Sequence, residues 1–123
     1  MISFIIPALN ESKFISTTLE TINTSVSKVE NIKEFEIIIV DDCSKDSTEE
    51  AINDLKIQYN NIVFIKNEKN YGMGFSIKRG IKLAKYSKFM ILPGGNDVNS
   101  NSIVSSLKFY NTADLVMQFP LNT

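Results

Sequence analysis

Four polar clusters in this 123-residue chain carry side chains able to bind or activate a ligand, and each lies at the end of a short apolar run. The most acidic is Asp41-Asp42-Cys43-Ser44-Lys45-Asp46, which follows Ile37-Ile38-Ile39-Val40. Adjacent carboxylates repel each other and folding alone seldom requires both, so one of the pair is expected to be held for binding. A carboxylate at a strand end can accept hydrogen bonds from a ribose or a base edge, with Ser44 and Asp46 shaping the turn that follows. An acidic turn open to solvent has the same composition. In Pro93-Gly94-Gly95-Asn96-Asp97 the glycines permit a tight turn, and the oxygens of Asn96 and Asp97 suit Mg²⁺ or Mn²⁺, which would bridge to phosphate. The same residues make an ordinary turn, and one carboxylate alone binds a free divalent ion poorly.

The other two clusters are richer in backbone than in charge. In Pro7-Ala8-Leu9-Asn10-Glu11, Pro7 is expected to end a strand and Asn10 to cap the next helix, leaving amides for a ligand. In Asn67-Glu68-Lys69-Asn70-Tyr71-Gly72-Met73-Gly74-Phe75-Ser76-Ile77-Lys78-Arg79-Gly80, glycines at 72 and 74 let amides approach an anion at a helix N-terminus. Neither the P-loop spacing nor a full G-x-G-x-x-G is present. Lys78 and Arg79 face either phosphate or solvent, and Lys82 and Lys85 read as solvated.

Composition narrows the chemistry further. With no His and a single Cys43, a Cys-His nucleophile and an internal disulfide are both excluded, and the commonest zinc ligand is absent. Thirteen basic against 14 acidic residues give a net charge of −1, which provides no overall field for nucleic acid. The N-terminal apolar run has no basic flank and is broken by Pro7 and Asn10, so it reads as neither signal peptide nor membrane span, and a cytoplasmic protein is expected. At 43% hydrophobic residues, with five Gly and three Pro, residues 1–123 read as one globular domain.

The elements that must position these clusters follow from periodicity. Runs at Ile2–Ile6, Phe35–Val40, Ile62–Ile65, Lys88–Leu92 and Asp114–Phe119 are short, continuous and rich in Ile, Val and Phe, as strands covered on both faces must be. Between them lie segments of helical spacing. Phe14, Ile15, Thr18, Leu19, Ile22 and Val26 form one stripe on a helix beginning near Asn10 or Glu11, and a second helix follows Asp46. A third, after Gly74, is expected to turn Ile77, Ile81 and Ala84 inward, and a fourth runs from Ser100 to Tyr110 with Asn99 as its cap. The alternation predicts an α/β, Rossmann-like, doubly wound and mainly parallel sheet of about five strands, with helices on both faces and right-handed crossovers. Ligands then belong outside the carboxyl ends of the strands.

Taken in order, Ile5–Glu11, Ile38–Thr48, Asn67–Gly80 and the strand ending before Asp97 resemble the nucleotide-sugar-binding half of inverting family 2 glycosyltransferases of the GT-A fold, which include polyprenyl-phosphate sugar transferases. The resemblance covers most of the chain. It implies a UDP- or GDP-linked sugar donor, with Pro7, Ala8, Asn10 and Glu11 lining the nucleotide pocket. It also implies Asp41 on the base, uracil or guanine, with Asp42 close by and Gly72, Gly74 and Lys78 beside the pocket. In the family an Asp-x-Asp type motif holds Mg²⁺ or Mn²⁺ against the diphosphate. Here that stretch reads Gly94-Gly95-Asn96-Asp97, so Asp97 is the one acid left as a metal ligand. The acceptor, by resemblance, is a polyprenyl phosphate or a saccharide, which would bring a cytoplasmic protein to the inner face of a membrane.

Two departures qualify the resemblance. Family members continue well beyond this length with the acceptor site, and no acid here is a candidate general base, so no catalytic residue is assigned. An ionised phosphate acceptor would need none. A non-enzymatic fragment that keeps the fold is the rival reading, and an apolar edge at 115–119 would then favour a homo-oligomer. A phosphorylation receiver, suggested by Ile-Val-Asp-Asp, carries its acidic pair after the first strand, whereas here the pair follows the second and the next strand ends in Ile65-Lys66-Asn67 without an Asp.

Overall fold

Apolar runs of four to seven residues need cover on both faces, and a parallel sheet between helices supplies it. A computed structural model describes residues 1–30, 32–92 and 100–108, and the backbone of 115–117. In chain order the elements are β1 (Ile2–Ala8), α1 (Ile15–Ser27), β2 (Phe35–Asp41), α2 (Thr48–Gln58), β3 (Ile62–Lys66), α3 (Met73–Leu83), β4 (Phe89–Ile91), α4 (Ser100–Leu107) and β5 (Leu115–Met117). The five strands form one sheet in the order β3-β2-β1-β4-β5, and every pairing is parallel. This is the strand order of the Rossmann-like sheet. Receiver domains use 2-1-3-4-5, so the phosphorylation reading falls on topology as well as on residues.

Alternation along the strands divides the core between the two faces. Phe4, Ile6, Ile37, Ile39 and Met90 join Ile15, Leu19 and Ile22 of α1, Ile52 and Leu55 of α2, and Ile103 and Leu107 of α4 in one continuous cluster. Phe4 and Phe35 meet edge to face at 5.8 Å, a favoured aromatic geometry. The opposite face, with Ile5, Ile38 and Val40, lies under α3.

Contact between α3 and the sheet is made by small residues. Ser76 and Gly80, one turn apart, are its buried positions, and a Cβ on Gly80 would stand 2.5 Å from Cγ2 of Ile5 and 3.5 Å from Cγ2 of Val40. The expected inward stripe is therefore rotated. Ile77 and Ala84 are half-buried and Ile81 stays 36% exposed. At the far end of this face, buried Glu36 accepts from Ser3 Oγ at 2.6 Å and from the Lys85 amide at 2.6 Å, fixing the exit of α3 to β1 and β2.

Handedness also departs from expectation. From β1 to β3 the chain moves one way across the sheet with α1 and α2 on one face, and from β3 to β4 it reverses with α3 on the other, which preserves the hand. The step from β4 to β5 continues that reversed direction, yet α4 packs beside α1. One crossover of the four therefore has the opposite hand to the rest, against the strong general preference for a single hand.

Pro7 does not end β1. Residues 3 and 5 bond across to β4, through Ser3 N to Lys88 O at 2.9 Å and Leu92 N to Ile5 O at 2.9 Å, so the missing N–H of Pro7 points past the end of that ladder. The strand continues to Ala8, opposite Asp41. Helix α1 starts at Ile15 rather than near Asn10, after a turn in which the amides of Phe14 and Ile15 donate to Glu11 O. The expected Asn99 cap, the end of α4 beyond Lys108, and the side chains of the apolar edge at 115–119 lie outside the described residues. No helix among the described residues is long and apolar enough to cross a membrane.

Replacing Gly80 with Ala should lower stability by about 1–2 kcal/mol, because overpacking against buried Ile5 exceeds the gain in helix propensity. Adding Ile5→Ala removes the clash, so urea denaturation of the double variant should show a loss smaller than the sum of the singles. Unchanged or raised stability in Gly80→Ala would refute this packing.

Candidate functional site

At the carboxyl edge of the sheet the three loops after β1, β2 and β3 are joined by the side chains of the middle one. Asp42, almost fully buried, accepts from Asn67 Nδ2 at 2.9 Å and the Tyr71 amide at 2.8 Å on one oxygen, and from the Gly72 amide at 2.9 Å on the other. Burial alone would push this carboxyl up. The bonds from Asn67, Tyr71 and Gly72 outweigh it and hold the group below the ordinary 3.8. Arg79 donates to Asn67 Oδ1 at 2.7 Å, which orients the amide that serves Asp42, and Asn67 Nδ2 also reaches Ser76 Oγ at 2.9 Å. The expected phosphate or solvent role of Arg79 gives way to this inward one.

On its other side the same loop grips the segment after β1. The Asn10 amide donates to Ser44 Oγ at 2.8 Å, and Asn10 Oδ1 accepts from the Lys45 amide at 2.9 Å. The Glu11 amide donates to Thr48 Oγ1 at 2.9 Å, and Ser12 Oγ donates to Asp46 Oδ2 at 2.8 Å. Asp46 also accepts from the amide and the hydroxyl of Thr48, at the first turn of α2. Although its surroundings tend to raise the carboxyl, the donors Thr48 and Ser12 keep it below 3.8. Asn10 thus clasps the neighbouring loop where a cap on α1 was expected. Asn10 (φ 54°) and Cys43 (φ 64°) both occupy the left-handed region, which turns the two loops sharply at the clasp.

A cavity of about 170 Å³ opens between these loops. Pro7, Ala8, Leu9 and Glu11 form one wall, Asp42 the base, and Asn70, Gly72, Met73 and Ser76 the other wall at the start of α3. Of the sequence-predicted residues, Pro7, Ala8, Glu11, Asp42 and Gly72 are brought together here. Asn10 stands beside them in the clasp. Asp41 is fully buried behind the wall, its carboxylate taken by the hydroxyl and amide of Ser44. Gly74 and Lys78 are exposed on α3 and do not line the cavity, and Asp97 lies outside the described residues. Both members of the acidic pair are buried and hydrogen-bonded, so the solvated acidic turn is not what forms. Sequence reasoning gave no site role to Asn67, Thr48 or Ser12. Asn67 had a signal, since it ends the run after β3 as Asp42 does after β2.

An open parallel sheet in the order β3-β2-β1-β4-β5, with a cavity at its carboxyl edge, defines a Rossmann-like α/β domain, a class in which ligands bind outside the carboxyl ends of the strands. The family is fixed by sequence: residues 3–92 match the profile of glycosyl transferase family 2, and the chain belongs to that family. Among its relatives, a dolichyl-phosphate beta-glucosyltransferase (ALG5A) of Trichomonas vaginalis is 39% identical over 82 residues, covering 64% of this chain and 25% of the relative. A poly(ribitol-phosphate) beta-glucosyltransferase of Bacillus spizizenii is 32% identical over 112 residues, covering 89% and 17%. S. aureus TarS 1–349 in complex with UDP-GlcNAc superposes with a TM-score of 0.69 at 25% identity, covering 89% of this chain and 31% of that one. The mannosyltransferase PcManGT of Pyrobaculum calidifontis, in complex with GDP-Man and Mn²⁺, shares the fold with a TM-score of 0.71 at 15% identity, covering 87% and 31%. The chain spans about a third or less of these proteins' own length.

Substituting Asp42 by Asn should cost about 2–4 kcal/mol, since two or three charge-assisted bonds to buried donors are weakened. The depressed carboxyls of Asp42 and Asp46 stabilise the fold fully above about pH 4 and progressively less as pH falls through their lowered folded values. Urea midpoints measured between pH 2 and 7 should therefore drop on the acid side in the wild type and drop less in Asp42→Asn. Parallel profiles for the two proteins would contradict the assignment.

Proposed function

We propose that this chain binds the donor of a sugar-transfer reaction, a nucleoside-diphosphate sugar linked to UDP or GDP, for inverting transfer to a lipid phosphate or saccharide acceptor. The observation that carries this reading is the cavity itself, whose walls are built from the motif stretches Pro7–Glu11, Asp42 and Asn70–Ser76. Complexes of TarS with UDP-GlcNAc and of PcManGT with GDP-Man support the donor class.

Within the cavity, Pro7, Ala8 and Leu9 offer an apolar wall for a base, and Asp41 is the acceptor for its N–H edge. A base reaching Asp41 has to displace the Ser44 hydroxyl from that carboxylate. Gly72 lends its amide to Asp42 already, so the diphosphate meets the next amides of the α3 first turn, favoured by the helix dipole. Gly74, just past the wall, would leave its amide to the outer phosphate, and Lys78, exposed further along α3, is not required to reach the donor.

A divalent ion does not fit the described residues by themselves. None of their His, Cys, Asp and Glu side chains form a group of three able to hold one, and Asp41 and Asp42 already accept protein donors. Mg²⁺ or Mn²⁺ would depend on Asp97 together with diphosphate oxygens. Binding of the nucleoside and the phosphates stands without it. The setting proposed for such a reaction is the cytoplasmic side of a membrane, where a lipid phosphate acceptor would present its charged end.

Calorimetry with UDP- and GDP-sugars, with Mn²⁺ and with EDTA, should show binding by one of the two nucleotide classes. Asp41→Asn should weaken it tenfold to a hundredfold, the value of a hydrogen bond to a charged group, and Ala8→Leu should fill the cavity and abolish it. If neither nucleotide binds, or if both variants bind as the wild type does, the proposal is wrong.

A further inference from the structure

Charge is segregated along this chain far more than a net of −1 suggests. Residues 69–96 contain six of the 13 basic residues and none of the 14 acidic ones, so this stretch carries +6 and the remainder −7. Folding sets the α3 part of this stretch on one face of the sheet. Among the described helices α3 alone lies over this face of β1 and β2, whereas Glu20 of α1 and Glu49, Glu50 and Asp54 of α2 belong to the opposite face. Lys69, Lys78, Lys82 and Lys85 are exposed, with Lys85 Nζ 5.5 Å from the centre of the Tyr86 ring. Arg79 is turned inward on Asn67 and is not part of this set. Of the nearest acids among the described residues, Asp42 is buried on the amides of Tyr71 and Gly72, Glu36 is buried on the Lys85 amide, and exposed Glu68 sits at the end of β3 beside Lys69.

The same surface is studded with apolar groups. Tyr71, Phe75 and Ile81 are 36–46% exposed, and the Tyr71 and Phe75 rings pack on each other with centroids 4.4 Å apart. A single exposed apolar residue is ordinary, but three within 11 residues, interleaved with lysines and with no acid between them, are not. Their exposure follows from the packing of α3. Because Ser76 and Gly80 make the contact with the sheet, the larger side chains are left outside it.

We propose that the outer face of α3 and the loop before it form a docking surface for an anionic lipid bilayer. The apolar side chains would enter the headgroup boundary while Lys69, Lys78, Lys82 and Lys85 pair with lipid phosphates, the lysine stems adding apolar contact. Charge complementarity selects this occupant. An acidic macromolecule would engage the lysines but leave Phe75 and Ile81 in water. The inference goes beyond donor binding and does not depend on it. Tyr71 adjoins Gly72 and Met73 of the cavity wall, so docking would bring the cavity mouth to the lipid surface.

The test is co-sedimentation of the purified chain, without nucleotide, with vesicles of phosphatidylcholine alone or with one third phosphatidylglycerol. Binding is expected to the anionic vesicles only and to weaken with salt. Removing a lysine from an anionic surface weakens binding about fivefold, so Lys78→Glu/Lys82→Glu/Lys85→Glu should lose at least a hundredfold. Phe75→Ser should also weaken binding at unchanged charge. Lys28→Glu/Lys33→Glu/Lys56→Glu, with the same change of charge away from α3, should bind as the wild type does, and circular dichroism should show all variants equally folded. The proposal is overturned if the wild type ignores anionic vesicles, if the two triple variants lose equally, or if Phe75→Ser binds unchanged. Concentration-dependent dimers that Phe75→Ser dissolves, in a protein that leaves vesicles unbound, would assign the face to a second copy.

Discussion

The architecture of the carboxyl edge depends on one constraint: backbone amides turned away from the sheet ladder must find acceptors, and the loop after β2 provides them. Asp42 takes the amides of Tyr71 and Gly72, Ser44 that of Asn10, Thr48 that of Glu11 and Asp46 that of Ser12. A loop whose amides were left unpaired in a half-buried setting would cost more than these bonds contribute, so the three loops hold one another in place. The cavity is what remains between them. Its walls are the segments that these acceptors hold.

This view changes what the acidic pair is for. Two neighbouring carboxylates at a strand end are costly when both are charged, and the reasonable inference from sequence was that a ligand offsets the cost. The structure shows that Asp42 is compensated from within, by three donors and, one residue further out, by the guanidinium of Arg79 acting through Asn67. Asp41, with one hydroxyl and one long amide contact, is the less satisfied of the two. The carboxylate that stands on the cavity wall is thus the structural one, and the one behind it has capacity to spare.

Strand identity and order of elements were legible in the sequence because buried parallel strands read as continuous Ile- and Val-rich runs, and each helix had a stripe or a turn signal before it. What was not legible depended on partners far along the chain. Asn10 has the residue type of a helix cap, but Ser44 and Lys45, 34 and 35 residues away, claim its groups. Ile81 has the spacing of an inward residue, but the absence of a Cβ at Gly80 lets α3 settle on Ile5 and Val40 and rotates the stripe outward. The opposite hand of the β4-to-β5 crossover has no local signature at all, since it concerns which face α4 chooses. For the site, the motif stretches lie around the cavity, while which of Asp41 and Asp42 stands on its wall depends on the fold of the loop between them.

The grip of Asp42 on Tyr71 and Gly72 is made entirely through main-chain N–H groups. Such anchoring is blind to the side chain at position 71 and asks of position 72 only that it tolerate φ +97°, as glycine does. The rim of the cavity can therefore drift in sequence, exchanging tyrosine for other residues there, without dismantling the frame beneath it. In a scaffold of this kind, diversification of what is recognised and preservation of how the chain is held are assigned to different atoms of the same residues.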